Sequence, residues 1–182
     1  MKHRLLFLGP PGAGKGTQAQ KMAQNQGLLH LSTGDLLRAE VKAGTPLGLE
    51  AEAVMGRGEL VSDALVLAIV RERLQHHQGG WLLDGFPRNL VQAEALDQLL
   101  KELDQPLQRV LLMELSDEEL VERLLARGRD DDNEAVIRNR LQVYRQQTAP
   151  LIIYYELRGE LRRVASAGSI DAVAEQINLA LA

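Results

Sequence analysis

The chain has 182 residues, of which 45% are hydrophobic and 25% charged, and it carries a formal net charge of −4. That length supports one substantial core in one domain; the absence of a basic tract argues against a protein that coats nucleic acid, and no apolar run reaches the roughly 20 residues of a membrane span. With zero cysteines there is no disulfide, no thiolate metal site and no cysteine nucleophile, and without a signal-like apolar stretch at the N-terminus a cytoplasmic location is the expectation.

The first element is a buried strand over 4–8, carried by Leu5-Leu6-Phe7-Leu8. Gly9-Pro10-Pro11-Gly12-Ala13-Gly14-Lys15-Gly16-Thr17 follows it, and the helical pattern of 15–26 follows that. Strand, glycine-rich loop and helix start form the context in which a loop binds phosphate. The glycines let backbone N–H groups turn inward, and the helix N-terminus adds partial positive charge. Lys15 supplies a mobile full charge for the outer phosphates. The strict pattern has Ser or Thr directly after the lysine; here Gly16 stands there and Thr17 comes one place later. Nucleotide binding is therefore indicated, whereas a hydroxyl on a metal ion is not.

Further apolar runs at 28–31, 81–83, 109–115 and 161–165 alternate with helical patterns at 34–43, 47–57, 62–77, 89–103, 116–127, 134–158 and 170–181. The alternation predicts an α/β fold, a five-stranded parallel sheet with helices on both faces. Residues 33–61 break the rhythm, because two helices follow one another without a strand. Such an insertion reads as a flap, with cap chemistry at Thr33-Gly34-Asp35 and Ser62-Asp63. Gly128-Arg129-Asp130-Asp131-Asp132 forms a second break, a short polar link between two long helices.

Asp84-Gly85-Phe86-Pro87-Arg88 follows the third strand as the glycine loop follows the first, so both motifs face the crevice beyond the strand ends. Asp84 reads either as the acidic partner of a magnesium ion, directly or through water, or as a cap on the next turn. Arg38, Arg88, Arg123, Arg127, Arg129 and Arg140 offer the planar cations that phosphoryl transfer uses; taken singly each also reads as a solvated surface residue. Arg123 and Arg127, four residues apart, share a helix face. His30 reads as a satisfied core histidine, and His76 and His77 as groups that meet the terminal carbonyls of their helix. Trp81 is expected in the core, and Ile137, Leu141 and Tyr144, at helical spacing, are expected on a core face.

Gly9–Gln18, Ser32-Thr33-Gly34-Asp35-Leu36-Leu37-Arg38, Asp84–Arg88, Gly128-Arg129 through Asp131–Glu134, and Thr148-Ala149-Pro150 together resemble the adenylate kinase family, in the family's order and over nearly the whole chain. The resemblance implies a P-loop fold with a monophosphate-binding insertion at 32–61 and a short lid at 127–132. It implies that Gly12, Ala13, Gly14, Lys15, Gly16, Thr17, Arg123, Arg127 and Gly168 bind ATP. Thr33, Arg38, Glu59, Leu60, Val61, Gly85, Phe86, Pro87, Arg88, Gln92, Arg129 and Arg140 would bind AMP. Lys15, Arg88, Arg123, Arg127, Arg129 and Arg140 would act on the transferring phosphoryl group, and Asp84 on Mg2+, through water. The family also has glycine at the position of Gly16. The implied reaction is reversible transfer from Mg-ATP to AMP, giving two ADP, by a monomer whose partners are these nucleotides. Asn89 is less usual in that family and occurs in the related UMP/CMP kinases, the nearest rival reading, while Thr33 points the other way, and AMP remains the favoured acceptor. A P-loop ATPase switch acting on a protein partner is the reading from another class.

Overall fold

In the computed structural model, residues 3–56, 61–128 and 133–182 are described. Five strands, β1 (Arg4–Leu8), β2 (Leu29–Ser32), β3 (Trp81–Asp84), β4 (Arg109–Glu114) and β5 (Leu161–Ala165), form one sheet in the order β2-β3-β1-β4-β5. Every neighbouring pair is parallel. The helices are α1 (Lys15–Gln26), α2 (Thr33–Ala43), α3 (Pro46–Gly56), α4 (Asp63–Gln75), α5 (Leu90–Glu102), α6 (Asp117–Arg127), α7 (Glu134–Leu157) and α8 (Ile170–Leu181). The predicted alternation holds, and the strands lie within a residue or two of their expected limits.

Side chains alternate across a strand, and β1 shows why this sheet needs cover on both sides. Leu6 and Leu8 join Leu31 and Leu83 on one face, packed by α4, α5 and the C-terminal half of α7 through Leu151 and Tyr155. Leu5 and Phe7 join Leu82, Leu111 and Met113 on the other face, packed by α1, α6, α8 and the N-terminal half of α7 through Ile137 and Leu141. Burying each such Leu or Phe contributes about 1.5–3 kcal/mol, and a strand apolar on both faces is stable only between helical layers.

Helix starts follow local cap chemistry. Ser62, Asn89, Ser116, Asn133 and Ser169 each accept a hydrogen bond from the backbone N–H three residues on. The expected cap near Thr33 differs: Ser32 holds the cap position of α2 without a side-chain bond, and Thr33 is buried instead. α2 and α3 cross closely. A Cβ at Gly48 would meet the Glu40 carbonyl oxygen at 1.9 Å, so only glycine fits there.

The far end of the sheet corrects the reading of the two histidines. His77 Nε2 lies 3.0 Å from the Gly80 carbonyl oxygen and His76 Nε2 3.1 Å from Gln75 Nε2, so neither ring serves the end of α4. Gln105 does. Its Nε2 donates to the carbonyls of Leu74 (2.9 Å) and His77 (3.1 Å), while its Oε1 accepts from Trp81 Nε1 (2.9 Å). Helix-end carbonyls need such partners when buried, and Gln105 itself is buried.

Candidate active site

β1 and β3 are adjacent, with Phe7 paired to Asp84, so the loops at Gly9 and Gly85 leave the sheet side by side. The crevice forms there because the chain runs from β1 past β3 to β2 but from β3 past β1 to β4, in opposite directions along the sheet, the usual position for a ligand in an open parallel sheet.

The glycine loop packs against α6. Gly12 has φ 85°, and a Cβ there would come within 2.9 Å of Leu124 Cγ and 3.3 Å of the Leu120 carbonyl oxygen; both backbone conformation and space demand glycine. Gly14, with φ 88°, ends the loop as the residue before α1. Lys15 folds back over the loop, its Nζ donating to the carbonyls of Gly9 (2.8 Å) and Pro10 (3.1 Å). Burial lowers the Lys15 ammonium to about 8; Asp84 opposes that shift and Arg88 adds to it. The cation is thus partly buried at the cavity wall, beside an acid and a second cation.

Two cavities flank the loop. One, of about 500 Å3, is lined by Lys15, Gly85, Arg88, Arg127, Arg140 and Tyr144 among others. The second, of about 400 Å3, is lined by Gly12, Ala13, Gly14, Thr17, Arg123 and Gly168 among others. Arg123 and Arg127, one turn apart on α6, therefore serve different cavities. Arg123 Nη2 also donates to the Ser166 carbonyl at 2.9 Å. Gln18, buried, donates to the Ile170 carbonyl at 2.9 Å and fixes α1 to the start of α8 beside the second cavity.

Around β3, Asp84 is buried at the strand end, and its Oδ2 lies 3.9 Å from His30 Nε2. That nitrogen is buried and has no hydrogen-bond partner among the described residues, so His30 is not the satisfied core residue the sequence suggested. Thr33 meets the next turn: a Cβ at Gly85, where φ is 88°, would sit 3.0 Å from Thr33 Oγ1. Phe86 is buried, and the Phe86–Pro87 bond is cis. Arg88 Nε donates to the Gly85 carbonyl at 3.1 Å. Gln92 Oε1 accepts from the Arg88 backbone N–H at 2.6 Å.

Arg38 is exposed and paired with Asp35, whose carboxyl that guanidinium holds below its usual range. Val61 is half-buried. Glu59, Leu60 and Arg129 lie outside the described residues, as does most of the 127–132 link. Tyr144 was expected with Ile137 and Leu141 in the core. Those two are buried, but Tyr144 lines the larger cavity, its phenol pushed up to about 12 by burial and then by Glu114. The signal was present: Arg140, Tyr144 and Thr148 recur at four-residue spacing, one helix face, and Thr148 Oγ1 donates to the Arg88 carbonyl at 2.9 Å.

Parallel order, glycine loop and cation-lined crevice together define a P-loop nucleotide-binding protein. A sequence model of the family described as adenylate kinase matches residues 7–160. Proteins named adenylate kinase from Synechococcus sp. strain RCC307 and strain WH7803 are 79% and 67% identical to the chain, and one from Prochlorococcus marinus strain MIT 9303 is 64% identical, each comparison covering the whole of both chains. The chain belongs to the adenylate kinase family.

Proposed function

We propose that the chain catalyses reversible phosphoryl transfer from Mg-ATP to AMP, giving two ADP and so balancing the adenine nucleotides. The observation that carries the assignment of residues is the loop between two cavities, with Lys15, Arg88, Arg127 and Arg140 converging on the larger and Arg123 on the smaller. ATP would lie with its adenosine in the smaller cavity, beside Gly168, and its phosphates over Gly12 to Thr17. AMP would enter the larger cavity past Thr33, Arg38, the 59–61 segment, Gly85 to Arg88 and Gln92.

The AMP phosphate is already an anionic nucleophile, so the reaction needs no general base. One of its oxygens forms a bond to the γ-phosphorus while the β–γ bridging bond breaks, and ADP leaves as an anion. The protein's work is positioning and charge stabilisation, by Lys15, Arg88, Arg123, Arg127, Arg129 and Arg140. Among the described residues no group of three or more His, Cys, Asp or Glu could hold a metal ion. Asp84 would meet, through water, a magnesium ion that arrives on the nucleotide; bound there, Mg2+ would neutralise phosphate charge.

Water competes with AMP as acceptor. The 32–61 insertion and the 127–132 link are proposed to close over the substrates and exclude it. No helix among the described residues is long and apolar enough to cross a membrane; a cytoplasmic monomer completes the proposal. Initial rates with ATP and AMP, CMP or UMP test it. AMP is expected to be the preferred acceptor, with two ADP formed per ATP consumed and slow ATP hydrolysis when no acceptor is present. Preference for CMP or UMP would assign the chain to that acceptor class. Nucleotide binding without transfer to any monophosphate would overturn the reaction.

Lys15 makes a second, independent readout. In the free protein its ammonium loses a proton near pH 8 because burial disfavours the charge; bound phosphate favours the charge and raises the value again. Nucleotide binding at about pH 8.5 is therefore expected to take up a proton. Calorimetric titration of ATP in buffers of different ionisation enthalpy should show an enthalpy that varies with buffer, and the variation should be absent in Lys15→Met.

A further inference from the structure

Gln92 sits at the start of α5 with both ends of its carboxamide committed. Its Oε1 accepts from the Arg88 backbone N–H at 2.6 Å, and its Nε2 donates to Asp63 Oδ1 at 2.5 Å. The surrounding backbone is fixed as well: the Gln92 N–H donates to Asn89 Oδ1 at 2.9 Å, and Thr148 Oγ1 holds the Arg88 carbonyl. Asp63 comes from the first turn of α4, which Ser62 caps through Leu65 N–H. Two helices and the β3–α5 turn thus meet on one amide.

The two ends of a carboxamide are almost identical in shape and differ only in polarity, so its partners decide which way it faces. Here they leave no choice. A carboxylate only accepts and a backbone N–H only donates. Turning the amide over would set the carbonyl oxygen against the Asp63 carboxylate and the amino group against the Arg88 N–H, losing one charge-assisted bond and one neutral bond together. Once both partners are satisfied, the amide retains one N–H and one oxygen lone pair. That donor–acceptor pair matches a base edge with a ring acceptor beside an amino group, as in adenine, where N1 accepts and the 6-amino group donates. It opposes the reversed edge of a 6-oxo purine, whose N1 donates and whose O6 accepts.

We propose that Asp63 is a positioning residue for acceptor choice: it locks the Gln92 amide in the orientation that selects an amino-bearing base and rejects its 6-oxo counterpart. The inference rests on the reading of Gln92 as part of the AMP site and extends it to a residue outside that assigned set. Asp63, not Arg88, is the adjustable half of the lock, because a backbone donor is the same for every side chain.

The test is Asp63→Leu, which keeps much of the side chain's shape but can no longer accept from the amide, measured with AMP and IMP as alternative acceptors at saturating ATP. AMP and IMP share one protein fold and one phosphate site, so a general loss of folded enzyme cancels in the ratio of their kcat/KM values. The AMP/IMP ratio is expected to fall about tenfold, through KM for the acceptors, while the KM for ATP and the kcat with AMP stay within about threefold of the parent. A ratio within twofold of the parent overturns the role of Asp63. Gln92→Ala separates the two levels: if it collapses the AMP/IMP ratio while Asp63→Leu does not, only the lock is wrong. If Gln92→Ala leaves the ratio unchanged, the assignment of Gln92 to the AMP site fails and the lock fails with it.

Discussion

Lys15→Met is expected to lower kcat for ADP formation by roughly 10²–10³-fold, the loss seen when one preorganised donor is removed from a developing charge, with no loss of folded protein. Both halves come from the same physics. The ammonium is held in a partly buried position by the Gly9 and Pro10 carbonyls, where its charge is disfavoured enough to bring it to about 8. In the folded, nucleotide-free protein below that pH the charge is a cost, and the sign follows from proton counting. Between about pH 8 and the ordinary lysine value near 10.5 the unfolded chain binds more protons than the folded one, so the parent's stability rises with pH through that window. Methionine removes the desolvated charge and fills similar volume. The variant's Tm at pH 7 is therefore expected to equal or exceed the parent's, and its stability to lose that rise above pH 8. The same charge becomes favourable once phosphate oxygens face it, and more so as charge moves toward the leaving group, where only a dry, fixed cation gives full effect. Steady-state kinetics with AMP and ATP, beside thermal melts at two pH values, check both halves. Turnover within a few-fold of the parent would remove Lys15 from the catalytic set. An equally inactive but destabilised variant would make the lysine structural.

What could be read before any coordinates follows a clear division. Local rules sufficed for the elements: the apolar strand of 4–8, the glycine loop and the helix behind it need only neighbours in sequence, and so does Asn89. Its presence in the chain pointed away from AMP as acceptor, yet its side chain caps α5 by accepting from Gln92 N–H, a task any good capping residue performs. The placement of Asp84 beside the glycine loop was also legible, because both follow strands and an open parallel sheet gathers its strand ends. Contacts set by what lies across the sheet were not. His30 and Asp84 are 54 positions apart and meet only because β2 pairs with β3 in register, Ser32 opposite Asp84. Helical spacing placed Arg123 and Arg127 on one face correctly but could not show the glycine loop running between them, one cavity on each side. It grouped Tyr144 with Ile137 and Leu141, whereas α7 leaves the core and borders the larger cavity at that turn. Arg38 illustrates a limit of another kind: Asp35 lies three residues away on the same helix face, within reach whenever no anion competes for the guanidinium.

Gln105→Ala is expected to produce the mirror image of Lys15→Met: a large loss of stability with little change in catalysis. Gln105 is a polar residue in the 103–108 connection, a position that sequence alone marks as surface, yet its side chain is buried and makes three hydrogen bonds. Truncation leaves the Trp81 indole N–H and the His77 carbonyl without that partner, under the first residue of β3, while the Leu74 carbonyl keeps the His77 backbone N–H at 3.0 Å. Each orphaned buried group costs about 1–3 kcal/mol. Partial solvation of the opened space offsets part of that, so a net loss of roughly 3 kcal/mol is expected, or a fall in Tm of about 6–12 °C for a domain of this size. Replacing the partner in concert should recover much of it: in Trp81→Phe/Gln105→Ala no indole N–H remains to be satisfied, and the second change should cost less than it does alone. The active site lies at the opposite end of β3, beyond Asp84, so kcat and both KM values for the folded fraction should stay within about twofold of the parent. Denaturant melts of the two single variants and the double variant measure the coupling. A loss below 1 kcal/mol for Gln105→Ala would mean that water replaces the amide at no cost. A large kinetic defect at full folding would mean that the two ends of the sheet are not independent.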